Sequence, residues 1–236
     1  MSYRPSFSSY VNKDKEGRDY YYLRLDDFSF GQNITNLLNN IRDEVAKTEF
    51  FVLDLRYNSG GLETKADTLL MAFLETDTLM TYPSVTRKNH AYYNAMGYGY
   101  PEYKDYYNDM AMDTLPANVF VKKDLPLFRQ PLFILTSKHT YSAAEDFIFP
   151  LRLHNPGRAV LVGTPTGGST GVPLVRRLPH HHSVYRICTR KALLPERMID
   201  NGIEPDYYYE MNIQDHLEGN DRIFDIVGEI YNEIYR

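Results

Sequence analysis

The chain has no tryptophan and one cysteine among its 236 residues. A single thiol, Cys188, excludes an intrachain disulfide framework and any cysteine-rich metal site. Its neighbours, Tyr185-Arg186-Ile187 and Thr189-Arg190-Lys191, read as ordinary strand sequence. No apolar run approaches the roughly 18 residues that a membrane-spanning helix needs. The first residues, Met1-Ser2-Tyr3-Arg4-Pro5, lack an apolar signal core. That pattern fits a cytoplasmic protein or a piece of a longer exported one. Positive charge is not in excess either: the net charge is -5, which gives no footprint for nucleic-acid binding. The phosphate-loop spacing and the G-x-G-x-x-G dinucleotide fingerprint are both missing, so no nucleotide or other cofactor is expected.

What is present is a core and many rings. Hydrophobic residues make up 43% of the chain, with 21 Tyr and 12 Phe, and many of the tyrosines fall between Tyr82 and Tyr107. Residues 1–19 are polar and read as a lead-in. Tyr20 to Leu25 reads as a first strand, and Phe50 to Leu55 as a continuous apolar strand of the kind covered on both faces of a sheet. Between them, Leu37, Leu38, Ile41 and Val45 form a helical stripe. A turn at Arg56-Tyr57-Asn58-Ser59-Gly60-Gly61 leads into a helix from about Glu63 to Phe73. Residues 76–128 are rich in Tyr, Asn, Gly and Pro, and their middle has no clear period, as in a lid or binding loop. The regular pattern resumes with a strand at 131–135, a helix to about Leu153, a buried strand at Ala159–Val162, and a glycine loop from Gly163 to Gly171. A hairpin is expected over 172–191 and a final amphipathic helix over Asp221–Tyr235. The organisation is one α/β domain over 20–236 with the Tyr-rich insertion inside it.

Thr140-Tyr141-Ser142-Ala143-Ala144-Glu145 lies between a buried strand and a helix start. Backbone N–H groups point outward there and the local field favours an anion, which suits an acyl-transfer nucleophile. Ser142 and Glu145 also satisfy the spacing of a capping box, so a purely structural cap is the competing reading. Two glycine turns follow apolar strands and leave N–H groups free to approach a ligand. Ala143 and either Gly60 or Gly61 are candidate oxyanion donors.

These pieces together resemble one family. Asp54 to Gly61 resembles a D-x-R-x-N-x-G-G turn, and Thr140 to Glu145 a T-x-S-A-[AS]-E nucleophile segment. Val162 to Gly168 resembles a V-G-x-x-T-x-G loop, and Gly202-Ile203-Glu204-Pro205-Asp206 a G-[IV]-x-P-D ending. In this order they are similar to the C-terminal processing (tail-specific) proteases and their tricorn-core relatives. The resemblance implies a Clp peptidase/crotonase-like spiral of β-β-α units. It also implies a serine peptidase with Ser142 as nucleophile, acting on a peptide or unfolded protein tail. It implies a bacterial periplasmic or extracellular setting, and a further N-terminal domain beyond this chain. A crotonase-type acyl-CoA activity is disfavoured because nothing suggests a CoA site.

Two departures bear on chemistry. The family lysine of the glycine loop aligns with Ser169, and the tricorn-branch histidine near the first strand aligns with Arg24, which cannot act as a base near neutral pH. Remaining candidates for the base are His139 and the family carboxylate, at Asp200 or Glu204. Glu145 either orients the site loops or completes the cap. The run His180-His181-His182 sits at the hairpin tip, and adjacent histidines do not converge easily on one metal ion. The alternative function is a catalytically degenerate protein that binds peptides or apolar ligands on the same scaffold.

Overall fold

The computed structural model describes residues 6–96, 105–106, 111–180, 182–194 and 201–236. In chain order the elements are β1 (Phe7–Lys13), β2 (Asp19–Leu25), α1 (Ile34–Val45), β3 (Phe50–Asp54) and α2 (Glu63–Met71). There follow β4 (Thr78–Met80), β5 (Ser84–Arg87), α3 (His90–Ala95), β6 (Met112–Leu115) and β7 (Val119–Val121). Next come β8 (Leu132–Thr136), α4 (Ala143–His154), β9 (Ala159–Gly163), β10 (Pro173–Arg177), β11 (Val184–Cys188) and β12 (Arg190–Ala192). The chain finishes with β13 (Tyr207–Tyr208), α5 (Ile213–Glu218) and α6 (Ile223–Tyr235).

The described chain forms two compact units. The first comprises residues up to Leu79, Val121–Ser169 and Ile199 onward. Its sheet has the order β1-β2-β3-β8-β9-β13, parallel throughout except for antiparallel β1. Every residue of β3 and β8 is buried, which explains their unbroken apolar sequences. Side chains alternate across the sheet. Tyr20, Tyr22, Phe50, Val52, Phe133 and Leu135 meet Ile223, Val227 and Ile230 of α6 on one face. Tyr21, Phe51, Phe73, Phe128 and Phe147 form a chain of ring contacts on the other. Burying each of the three α6 anchors contributes about 1.5–3 kcal/mol. Asn33 caps α1 by accepting from the Asn36 N–H at 3.2 Å.

The polar start is more than a lead-in: Phe7–Lys13 is the edge strand of the main sheet, paired from Phe7↔Leu25 to Lys13↔Asp19. Its solvent side explains its polar sequence. The turn after it is clamped to α6. Arg18, 4% exposed, pairs with Asp14, donates to the Gly228 carbonyl at 3.0 Å and lies 4.7 Å over the Tyr231 ring. Burial pushes the Asp14 carboxyl up, but hydrogen bonds and charge from Arg18 outweigh it and hold the group below its ordinary value. A depressed carboxyl contributes stability above its unfolded pKa, and that contribution is lost as pH falls through the folded one. Arg18→Met leaves a buried carboxylate without its cation and is expected to destabilise by about 3–5 kcal/mol near neutral pH. Urea denaturation of the two proteins checks this, and the gap between them should shrink in acid.

The second unit comprises Met80–Phe120 and Thr170–Met198. The Tyr-rich insertion, without a clear period in sequence, supplies β5, α3 and β6. Strands β12, β5 and β6 form an antiparallel sheet, and β10–β11 form the expected hairpin. Tyr92, Tyr106 and Leu115 make its small core, with Met96 and Val172 packed against them. A two-stranded ladder joins β4 and β7.

Candidate active site

The functional segments all follow the carboxyl ends of parallel strands. The Gly60–Gly61 turn follows β3, the Ser142 turn follows β8, and the glycine loop of residues 164–169 follows β9. Open parallel sheets place their ligand sites at this end. Arg24 and Asp54 are register partners at the ends of β2 and β3.

Ser142 sits at φ 56, ψ -124. An N-cap residue normally adopts the extended region, so this is not an ordinary cap. Positive φ in a non-glycine residue is strained, and such strain is characteristic of nucleophile turns between strand and helix. The residue is half-buried and Ala143 beside it is buried. Gly60 lies directly against it: a Cβ on Gly60 would meet Ser142 Cβ at 2.7 Å, the Tyr141 carbonyl at 2.8 Å and the Ala143 nitrogen at 3.0 Å. The two segments are further tied by the Tyr141 N–H donating to the Asn58 carbonyl at 2.9 Å.

The two glycines are not equivalent. The Gly60 N–H donates to the Asn58 side-chain oxygen at 2.9 Å, an Asx turn that fixes the loop. Among the described residues, the N–H groups of Gly61 and Ala143 have no acceptor. Asn58 is fully buried; it is the asparagine of the D-x-R-x-N-x-G-G turn, a motif position to which the sequence assigned no role, although Asn two residues before a glycine is an Asx-turn signal.

Glu145 is fully buried and accepts four hydrogen bonds. They come from the Ser142 N–H (3.1 Å), Thr166 Oγ1 (2.5 Å), the Gly168 N–H (2.8 Å) and the Ser169 N–H (3.0 Å). Burial raises its pKa, and these four donors oppose the shift. With its lone pairs filled, this carboxylate joins the Ser142 turn to the glycine loop. Thr166 is the threonine of the V-G-x-x-T-x-G loop, a motif position to which the sequence assigned no role. Its hydroxyl accepts from the Ile203 N–H at 2.7 Å while donating to Glu145.

The remaining candidates separate. Ser169 lies beside Ser142: its carbonyl accepts from the Ser142 N–H at 3.1 Å. Arg24 is ion-paired to Asp26 at 3.0 Å. His139 is exposed and stacks on Tyr57, with centroids 6.5 Å apart and ring planes 15° apart. Glu204 is exposed, and its carbonyl accepts from Arg152 at 3.0 Å. Its neighbour Ile203 is tied through Thr166 to Glu145 and so to the Ser142 turn. Asp200 lies outside the described residues. Among the described residues, no Lys or His side chain hydrogen-bonds to the Ser142 hydroxyl, and no group of three His, Cys, Asp or Glu could hold a metal ion. His180 and His182 are exposed, and His181 lies outside the described residues. No helix of the described residues is long and apolar enough to cross a membrane.

Asp54 anchors the start of the glycine turn. It accepts from Tyr22 Oη at 2.9 Å and from Arg56 Nη2 at 2.7 Å, and Arg56 also reaches Asp221 at 2.7 Å. Burial and the neighbouring Asp54 push the Tyr22 phenol above its ordinary value. This network holds β2, β3 and the approach to α6 in fixed register below the site.

The model of Peptidase family S41 matches residues 19–209. The chain belongs to peptidase family S41. The chloroplastic carboxyl-terminal-processing peptidase 1 of Arabidopsis thaliana is 26% identical over 190 residues, covering 79% of this chain and 32% of that protein. A crystal structure from Parabacteroides merdae ATCC 43184, assigned as a peptidase, superposes with a TM-score of 0.69 at 22% identity. It covers 98% of this chain and 66% of that one. The photosystem II D1 C-terminal processing protease gives a TM-score of 0.55 at 16% identity, over 87% of this chain and 48% of that one. The chain thus spans about a third of the length of the curated relative. S41 membership and these neighbours identify the first unit's sheet and helices as the Clp peptidase/crotonase-like spiral expected from the motifs.

Proposed function

We propose that this S41 chain hydrolyses peptide bonds with Ser142 as the nucleophile. The observation that carries the reading is the strained φ of Ser142 directly against the Gly60 backbone. The Ser142 hydroxyl attacks the scissile carbonyl as its proton passes to a base, left unassigned, which then gives it to the departing amine. The Gly61 and Ala143 N–H groups, both without a protein acceptor, receive the oxyanion; one such donor is commonly worth about 3 kcal/mol of transition-state stabilisation. Collapse expels the amine and leaves an acyl-Ser142, which water then hydrolyses. Gly60 acts by close approach and Asn58 by holding the turn. Glu145 keeps the nucleophile and glycine loop aligned. Substrates are peptides or unfolded protein tails, in line with the carboxyl-terminal processing named for the curated relative. The setting is a bacterial periplasm or the cell exterior by family habit, with a further N-terminal domain expected outside this chain; the curated relative itself is chloroplastic.

A fluorophosphonate probe should label the wild type, and Ser142→Ala should abolish labelling, read by mass spectrometry of the labelled peptide. Labelling that survives the substitution, or a wild type that never labels, overturns the reading.

One observation favours a second reading, a degenerate binding protein. The expected base positions hold Ser169 and an Arg24 already paired with Asp26. That reading expects no labelling of the wild type and peptide binding that survives Ser142→Ala.

A further inference from the structure

Beside the nucleophile turn is an open cleft of about 390 Å³ lined by Tyr57, Ser59, Lys138, His139 and Tyr141. The size suits one or two residues of a bound peptide. Its walls come from the segments that carry the chemistry: Tyr57 and Ser59 precede Gly60, and Tyr141 precedes Ser142. Lys138 and His139 form the tip of a tight turn closed by the Thr140 N–H to the Ser137 carbonyl at 2.8 Å and the Ser137 N–H to Thr140 Oγ1 at 2.9 Å. The turn is held from behind. Thr140 Oγ1 donates to the Leu55 carbonyl at 2.8 Å, and the Gly167 N–H donates to the Thr140 carbonyl at 2.8 Å. The Tyr141 ring occupies the space a side chain at 167 would need. Among the described residues, the cleft's one fixed charge, Lys138, is therefore displayed on a braced turn.

That charge is positive. Among the described residues no carboxylate lines the cleft. Among the described residues Lys138 has no ion-pair partner, although the chain carries 31 Asp and Glu. The stacked Tyr57 and His139 rings give an apolar wall beside the ammonium. A side chain with a short apolar stem and an anionic head matches both surfaces.

We propose that this cleft is a carboxylate-selective subsite for the peptide substrate, with Lys138 supplying the cation and the Tyr57–His139 pair the wall. The inference rests on the peptidase reading of the adjoining site and narrows its substrate to peptides that present a carboxylate there. The carboxylate comes either from an Asp or Glu side chain or from the chain terminus.

Binding to the Ser142→Ala protein separates this question from catalysis. Fluorescent peptides are compared in two arms by anisotropy: one internal residue varied among Glu, Gln and Lys, and one sequence made as free acid or C-terminal amide. A charge-assisted hydrogen bond predicts roughly 10-fold tighter binding of the carboxylate form in one arm. The arm that shows it identifies the source. Added on the same background, Lys138→Glu should invert the preference and Lys138→Arg keep it, and high salt should weaken the contrast. Equal binding in both arms, no binding at all, or a preference unchanged by Lys138→Glu overturns the proposal. A binding contrast in a protein that never labels with fluorophosphonate sinks the hydrolysis reading and leaves the subsite standing.

Discussion

Ser169→Lys is expected to raise both the rate of fluorophosphonate labelling and the rate of peptide cleavage, by roughly 10²–10⁴-fold, the usual contribution of a positioned general base. The backbone at 169 is already bonded to the nucleophile on one side and to Glu145 on the other, at 3.1 and 3.0 Å. Gly168 before it has φ 80, so the loop enters in a conformation fixed by glycine rather than by the side chain at 169. A lysine there has a half-buried start and a flexible stem long enough to reach the adjacent hydroxyl. Partial desolvation lowers an ammonium pKa, and only the neutral amine accepts the serine proton. The added activity should therefore rise with pH through the lysine pKa. Ser169→Met, similar in reach but without the amine, is the control. Labelling rates measured from neutral to alkaline pH decide the matter; equal rates for the Lys and Met variants would show that position 169 does not face the nucleophile.

Gly60→Ala should abolish labelling, at least 100-fold, and destabilise the fold by about 2–5 kcal/mol through overpacking and positive-φ strain. Gly60 has φ 95, and the three atoms its Cβ would meet are a Cβ, a carbonyl oxygen and a backbone nitrogen, none of them the end of a flexible side chain. Relief is possible only by moving the Ser142 turn, and movement of about 1 Å at a nucleophile is enough to lose orders of magnitude in rate. Gly157→Ala is the comparison. It also sits at positive φ, 89, but nothing lies within 4 Å of its Cβ. It should lose some stability and keep full labelling. Thermal melts alongside labelling time courses separate the two effects. A Gly60→Ala protein that labels normally would remove the close contact from the mechanism.

Some of this was legible in the sequence for clear reasons. β3 and β8 are buried on both faces, so they read as unbroken apolar runs. α1 is one-sided and declares itself through Leu37, Leu38, Ile41 and Val45, all buried. The Ser142 and glycine motifs were readable because each is a short run of fixed residue types. β1 was hidden because an edge strand with a wet face, Phe-Ser-Ser-Tyr-Val-Asn-Lys, carries little apolar signal. β13 was hidden because two residues held by parallel pairing to β9 have no local pattern at all. The difference between Gly60 and Gly61 could not be read from their spacing, since it turns on where one Asn58 oxygen points. From sequence, Glu204 was a candidate catalytic carboxylate and Glu145 a loop support or capping-box partner. The fold leaves the first exposed near Arg152 and buries the second among four donors.

That buried carboxylate has a temporal consequence. Its partners Thr166, Gly168 and Ser169 lie 21, 23 and 24 residues further along the chain, and Thr166 is itself held by Ile203. During synthesis the serine leaves the ribosome well before these groups do. Until β9 joins the sheet and the Ile203 segment closes over Thr166, Glu145 has too few donors to be buried as an anion. In a nascent or half-folded chain the Ser142 turn is therefore not yet fixed, and if Ser142 is the nucleophile, such a chain is silent towards its neighbours on the polysome.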